Sequence, residues 1–348
     1  MKLTCISREL HPRRAFRISR ARRTEVRNVF IRLESEGVVG YGEASPNSFY
    51  GETWEGVSAH LESARPFIDA LQVRSVADIE AAWNAAWRFL APSRGAQCAL
   101  DIALWDWLAR KRGVTVSELA WNQPPQPVST FATIGLSSPE ELAEKIEELH
   151  GFACIKIKSD QSAGLDAVRL VRERTSALVA VDANGAWGEV DLPRLARELQ
   201  QLGVTFIEQP WPPARDADLP KLELPVMADE SCVTEEDAAR LADPFDGFNI
   251  KLVKCGGITP ARRMVETGKA RGKKMMVGCM LESSALIAAG AVIAQRTDYA
   301  DLDGAWLLRD DPFTGWAFDH GILSPRPEPG LGVEPESGLF PQGSSRIY

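Results

Sequence analysis

The spacing of apolar and polar positions changes character about a third of the way along the chain. In the first 50 residues the apolar run Val29–Leu33, a Glu-Gly turn and the run Val38–Gly42 read as an antiparallel hairpin. Apolar residues then recur at helical spacing over 54–72, 76–90 and 95–112. Strands followed by helices predict an α+β unit, ending at the proline-rich stretch Pro124–Pro127. Past that stretch, short β-like runs alternate with amphipathic helical segments. The runs are Ser129–Ile134, Ala153–Lys158, Ala177–Asp182, Thr205–Glu208, Val226–Asp229, Phe248–Lys251, Lys274–Gly278 and Tyr299–Asp303. Eight runs separated by helices predict a β/α barrel. An open doubly wound sheet is the competing arrangement. It would normally carry a glycine-rich turn after its first strand, and the residues after Ile134 do not form one. Gly40-Tyr-Gly42 is likewise too short for a nucleotide fingerprint and reads as a hairpin strand.

Barrel enzymes place reactive groups at the C-terminal ends of their strands. Here the second run ends in Lys156-Ile-Lys158, the third in Asp182, the fourth in Glu208, the fifth in Asp229, the sixth in Lys251 and the eighth in Asp301-Leu-Asp303. An acid at one strand end is often only the cap of the next helix, which is the competing reading for Asp229 taken alone. Asp182, Glu208 and Asp229 end consecutive strands, so a barrel brings their carboxylates to one point. Three converging anions repel, and all-oxygen ligands favour magnesium or manganese over zinc. Lys156 and Lys158 are two apart and share a strand face, the barrel interior. Lys251 lies half a barrel away, so Lys158 and Lys251 would flank a substrate from opposite sides. Lys254 competes with Lys251 for that role.

Composition narrows the partners. A net charge of −8 offers no basic surface for nucleic acid, although arginines crowd Arg13–Arg27. No apolar run approaches the roughly 20 residues that span a bilayer, and the basic N-terminus lacks an apolar signal core, so a cytoplasmic protein is expected. The six cysteines are scattered without a CxxC pair, which predicts reduced thiols. His11, His60, His150 and His320 lie away from the strand ends, and no Ser-His or Cys-His pairing is visible.

These signatures together resemble the enolase superfamily, in its muconate-lactonizing subgroup. They are Lys156-Ile-Lys158, Val181-Asp-Ala-Asn-Gly185, Ile207-Glu-Gln-Pro210, Ala228-Asp-Glu-Ser231, Asn249-Ile-Lys-Leu-Val-Lys-Cys-Gly-Gly257 and Val277-Gly-Cys-Met-Leu-Glu-Ser283. The resemblance implies a (β/α)7β TIM-like barrel over 125–320, capped by an α+β domain of 1–124 joined by the tail 321–348. It also implies one Mg2+ per subunit on Asp182, Glu208 and Asp229, with Lys158 and Lys251 as acid and base and Lys251 favoured over Lys254. Ala300-Asp-Leu-Asp-Gly304 is similar to the motif by which dipeptide epimerases hold a substrate ammonium. Asp301 and Asp303 share a face and can clasp a cation. The segment Phe16–Glu25 resembles that of bacterial L-Ala-D/L-Glu epimerases, in which an arginine matching Arg23 pairs with the glutamate side chain.

The implied reaction is 1,1-proton transfer at the α-carbon of the dipeptide's C-terminal residue through a magnesium-stabilised enediolate, with Lys156 assisting at the carboxylate. Murein peptide recycling and a homo-oligomer belong to the same expectation. Phe131 stands where such enzymes carry a substrate-contacting threonine, with Thr130 and Thr133 beside it. The alternatives are an N-acylamino acid racemase, an o-succinylbenzoate synthase or a cycloisomerase on the same site, and, outside catalysis, a peptide-binding scaffold. A free-ammonium clasp argues against N-acyl substrates, and bases on two faces argue against a scaffold.

Overall fold

Alternation of inward and outward residues closes the second half of the chain into a ring. The structure, a computed structural model, describes residues 1–19, 21–161 and 164–340; Arg20 and the end of the expected tail, 341–348, lie outside them. Eight parallel strands are hydrogen-bonded in chain order: Ala132–Ile134, Cys154–Lys158, Leu178–Asp182, Val204–Glu208, Val226–Ala228, Gly247–Lys251, Lys274–Gly278 and Tyr299–Asp301. At the seam between the eighth and the first, the Phe131 N–H donates to the Ala300 carbonyl at 2.8 Å. The Leu302 N–H donates to Thr130 Oγ1 at 2.7 Å. The barrel expectation holds strand for strand, with one change at its start. The first predicted run divides, because Val128–Ser129 pairs instead with the hairpin strand Ile322–Ser324 and the barrel strand begins only at Ala132.

Helices return the chain between strands, and local sequence starts them. Ser138 accepts from the Glu141 N–H while the Glu141 carboxylate accepts from the Ser138 N–H, a reciprocal cap for Pro139–Glu148. After the fourth strand only the 3-10 segment Pro213–Asp218 is present in place of a full helix.

The N-terminal half forms a three-stranded antiparallel sheet of Lys2–Leu10, Val26–Ser35 and Val38–Ala44, with Val26–Ser35 in the middle. Helix Arg94–Arg112, buried along 95–109, lies across its last strand. The two glycines of Gly40-Tyr-Gly42 exist for that contact. A Cβ at Gly42 would stand 2.0 Å from the Ala99 carbonyl, and one at Gly40 2.3 Å from that of Ala103. The predicted helix 54–72 is two, Trp54–Ser63 and Arg65–Asp69, because Pro66 has no N–H to continue the ladder.

Two buried acids fasten this domain onto the barrel. Glu43 accepts from the N–H groups of Ser283 at 3.0 Å and Leu286 at 3.2 Å, at the start of helix Ser284–Ala294. Asp101 accepts from the Thr259 N–H at 2.9 Å, at the start of helix Ile258–Ala270. Both helix N-termini present unpaired donors and positive dipole ends, which a carboxylate satisfies. The tail returns the same way: the Leu331 N–H donates to Asp106 at 2.7 Å, and Arg110 pairs with Glu334 at 2.8 Å.

Candidate active site

The mouth of the barrel opens under the N-terminal domain. A cavity of about 290 Å³ lies there, lined from the barrel by Thr133, Lys156, Lys158, Lys251, Asp301 and Asp303, among others. Its far wall comes from the hairpin of Phe16–Ile18 and Ala21–Arg23 and from the turn Ser48–Tyr50. Strands two and six carry Lys158 and Lys251 into the same space from across the barrel.

Beneath it, Asp182, Glu208 and Asp229 are each no more than 1% exposed. One carboxylate oxygen from each lies within 4.8 Å of the others. Three buried anions so close demand positive charge, and within the chain lysines supply it. Lys158 donates to Asp182 Oδ2, and Lys251 to Asp229 Oδ2 at 2.8 Å. Lys156 meets Glu208 Oε2 at 3.3 Å and forms an ion pair with Asp301. Small neighbours make room for these bonds. A Cβ at Gly278 would lie 2.6 Å from the Asn249 amide, which donates to Glu208 Oε1 at 2.6 Å.

Burial and charge oppose each other at four of these groups and act together at one. Burial alone would raise Asp182, but the Lys158 and Lys156 ammoniums outweigh it and hold the carboxyl below its ordinary range. Asp229 is likewise lowered, by Lys251 and Lys254 acting against burial. Glu208 goes the other way, pushed to about 7 by burial and by the Asp182 charge. Burial would lower Lys156 and Lys251, yet the surrounding carboxylates hold both well above the ordinary lysine value. Three hard oxygen donors converging on one point are what a divalent cation such as magnesium requires.

The structure brings the sequence-derived residues together and corrects one reading. Phe131 does not reach the cavity. It is buried in an apolar layer lower in the barrel with Phe206, Met227 and Met276. Thr133, two residues on, lines the mouth in its place: its N–H donates to Asp303 at 2.6 Å and its hydroxyl to Asp301 at 3.2 Å. Arg23 stands half-exposed in the cavity wall, whereas the neighbouring Arg22 is exposed and does not line it. Lys254 is turned away from the cavity, bonded to Asp229 and to three backbone carbonyls. Two further groups complete the site. Asn249 holds Glu208, a role legible only once strand six is placed beside strand four's acid, and Cys279 lies 4.0 Å from Asp303 in the cavity wall.

Comparison with known proteins fits this geometry. Residues 140–338 match the family described as enolase C-terminal domain-like, and residues 2–120 match the mandelate racemase / muconate lactonizing enzyme N-terminal domain. An L-Ala-D/L-amino acid epimerase of Flavobacterium johnsoniae is 37% identical over 340 residues, covering 96% of this chain and 99% of that protein. A hydrophobic dipeptide epimerase of Roseobacter litoralis is 37% identical over 93% of this chain and 96% of its own length. The solved structure of a dipeptide epimerase from Methylococcus capsulatus, complexed with Mg and the dipeptide L-Arg-D-Lys, matches with a TM-score of 0.87 at 33% identity, over 96% of this chain and 99% of that one. With both halves matched and the acids and lysines gathered under one mouth, the chain belongs to the mandelate racemase/muconate-lactonizing subgroup of the enolase superfamily, as an isomerase close to characterised dipeptide epimerases.

Proposed function

We propose that the chain inverts the α-carbon of the C-terminal residue of L,L-dipeptides, with L-Ala-L-Glu to L-Ala-D-Glu as the representative reaction. The observation that carries this reading is the entry of Lys158 and Lys251 into one cavity from opposite sides of the barrel. Relatives named for epimerising L-Ala-amino acid and hydrophobic dipeptides support the substrate class.

The α-proton beside a carboxylate is a weak acid, and its removal spreads negative charge onto that carboxylate. Asp182, Glu208 and Asp229 would hold a divalent cation, which when bound would supply positive charge at that carboxylate and offset part of the Asp229 and Glu208 charge that keeps Lys251 protonated. Lys158 takes the proton from one face as the C–H bond breaks. Lys251 gives a proton to the opposite face, and the two exchange roles in the reverse direction. Lys156, wedged between Glu208 and Asp301, stays a fixed positive charge beside the reacting carboxylate.

Asp301 and Asp303, oriented by Thr133, hold the dipeptide's ammonium. Because both carboxylates are nearly dry, an N-acylated substrate would leave Asp303 without a cation and Asp301 with Lys156 alone. Arg23 selects an acidic side chain at the second residue. The cavity lining also includes the apolar Phe16, Ile18, Val26 and Met280, and this favours a leucine-like side chain as the second reading.

The test compares kcat/KM for L-Ala-L-Glu, L-Ala-L-Leu and L-Ala-L-Lys on wild type and on Arg23→Ala. Preference for glutamate in wild type, lost in the variant, is expected. Preference for leucine, or a glutamate preference that survives the substitution, refutes the arginine assignment and leaves the epimerase reading standing.

A further inference from the structure

Lys254 is a fourth buried lysine at the site, and proton transfer does not use it. It follows strand six in the four-residue helix Leu252–Cys255 and is 2% exposed. Its ammonium meets four oxygens: the carbonyls of Asp229 at 2.6 Å, Cys232 at 2.9 Å and Asn249 at 3.1 Å, and Asp229 Oδ1 at 2.7 Å. An ammonium has only three protons to give, so Lys254 is saturated and fixed.

The same arrangement recurs at the other two acids. Asp182 Oδ1 accepts from the Asn184 N–H at 2.8 Å, while Oδ2 accepts from Lys158. Glu208 Oε1 accepts from the Asn249 amide at 2.6 Å, while Oε2 faces Lys156. Asp229 Oδ1 is tied to Lys254, while Oδ2 accepts from Lys251 at 2.8 Å. In Glu208 and Asp229 one oxygen is committed to a fixed donor of the protein and the other points to a lysine that lines the cavity, while in Asp182 the oxygen facing Lys158 also accepts from the Asn184 side-chain amide at 3.3 Å.

We propose that Lys254 is a positioning residue that confines Asp229 to a single ligand oxygen, and so makes the carboxylate trio select magnesium over calcium. Three single oxygens leave the remaining positions of an octahedron to water or substrate, which suits a small cation that loses water reluctantly. Calcium takes more oxygens, accepts two from one carboxylate and binds more tightly as carboxylate charge accumulates. Lys254 denies it both, by occupying Oδ1 and by setting an ammonium beside it. Asn184 and Asn249 restrain the other two acids but bring no charge, so the charged restraint sits on Asp229 alone.

The inference rests on the trio being the metal site, and calorimetric titration of the full chain separates the two claims. Magnesium and calcium are titrated separately into wild type and into Lys254→Met. The ratio of the calcium to the magnesium dissociation constant should fall by about tenfold or more in the variant, within the range typical of residues that hold a metal ligand. An unchanged ratio, including equal weakening of both ions as a merely structural role would give, overturns the proposal. If circular dichroism shows Lys254→Met to be unfolded, Lys254→Gln, which keeps two donors for the carbonyls but no charge, should show the same fall, and an unchanged ratio there overturns it equally. Failure of wild type to bind magnesium at all would instead remove the metal assignment on which the proposal stands.

Discussion

Two layers of the same barrel, one step apart along the same strands, have opposite chemistry. The lower layer holds Phe131, Ala180, Phe206, Met227 and Met276, with Tyr299 and Cys154 against it. Two residues further along each strand stand Thr133, Asp182, Glu208, Asp229, Gly278, Asp301 and Lys156. Successive inward positions on a strand are two apart, so each apolar residue points the same way as the group above it. The apolar layer is packed edge-to-face, with the Phe131 and Phe206 rings 5.7 Å apart at 85°. The charged layer gains little from burial; its acids are tolerated because each has a lysine partner and a fixed donor. Stability is concentrated in one layer and reactivity in the next.

Breaking the charged end of the barrel, the upper layer and the two lysines beyond it, should be felt in chemistry. Lys158→Ala and Lys251→Ala should each lower epimerisation by about 10²- to 10⁴-fold, the usual contribution of a positioned acid or base. Steady-state polarimetry reads this, and normal turnover by Lys251→Ala would rule out its role. Breaking the lower layer should be felt in stability. Phe131→Ala should cost about 3–5 kcal/mol in urea unfolding, as large-to-small core changes do, while kcat of the folded fraction changes little. A kcat loss matching that of the lysine variants would show that the layers are not separable.

The smallest effect sharpens the comparison outside the barrel. Asp101 is raised to about 7, because burial outweighs its bonds to Thr259. A carboxyl raised by folding binds its proton in the native chain at pH values where the unfolded chain has lost it. Its contribution is therefore complete below the ordinary carboxyl range and is lost as pH rises through about 7. Unfolding temperature should decline from about pH 5 to about pH 8, and Asp101→Asn should flatten part of that slope. An unchanged slope in the variant would mean that Asp101 ionises in the native state as it does when unfolded.

The upper layer was legible in the sequence because charges at strand ends interrupt apolar runs at a spacing only a barrel gathers. Asp182, Glu208, Asp229, Lys158 and Lys251 could be named from that pattern. Thr133 could not be preferred to Phe131, because the two share a strand face and only the level at which the barrel strand ends, obscured by the departure of Val128–Ser129 to another sheet, decides which of them reaches the mouth. The strand Lys2–Leu10 mixes polar and apolar residues too evenly to stand out. The hairpin carrying Arg23 showed only as a run of arginines. The locks by Asn249 and Lys254, and the helix caps by Glu43 and Asp101, depend on residues far apart in sequence meeting through the fold.

The central claim is that proton transfer occurs at one carbon between two lysines. Incubating the magnesium-loaded wild-type protein with L-Ala-L-Glu in D2O, and following mass and stereochemistry together, tests it most directly. The account predicts one deuterium at the α-carbon of the C-terminal residue, appearing as the L,D-dipeptide accumulates, and neither change after chelation. Deuterium at the alanine α-carbon, or no exchange with any L,L-dipeptide, would contradict it.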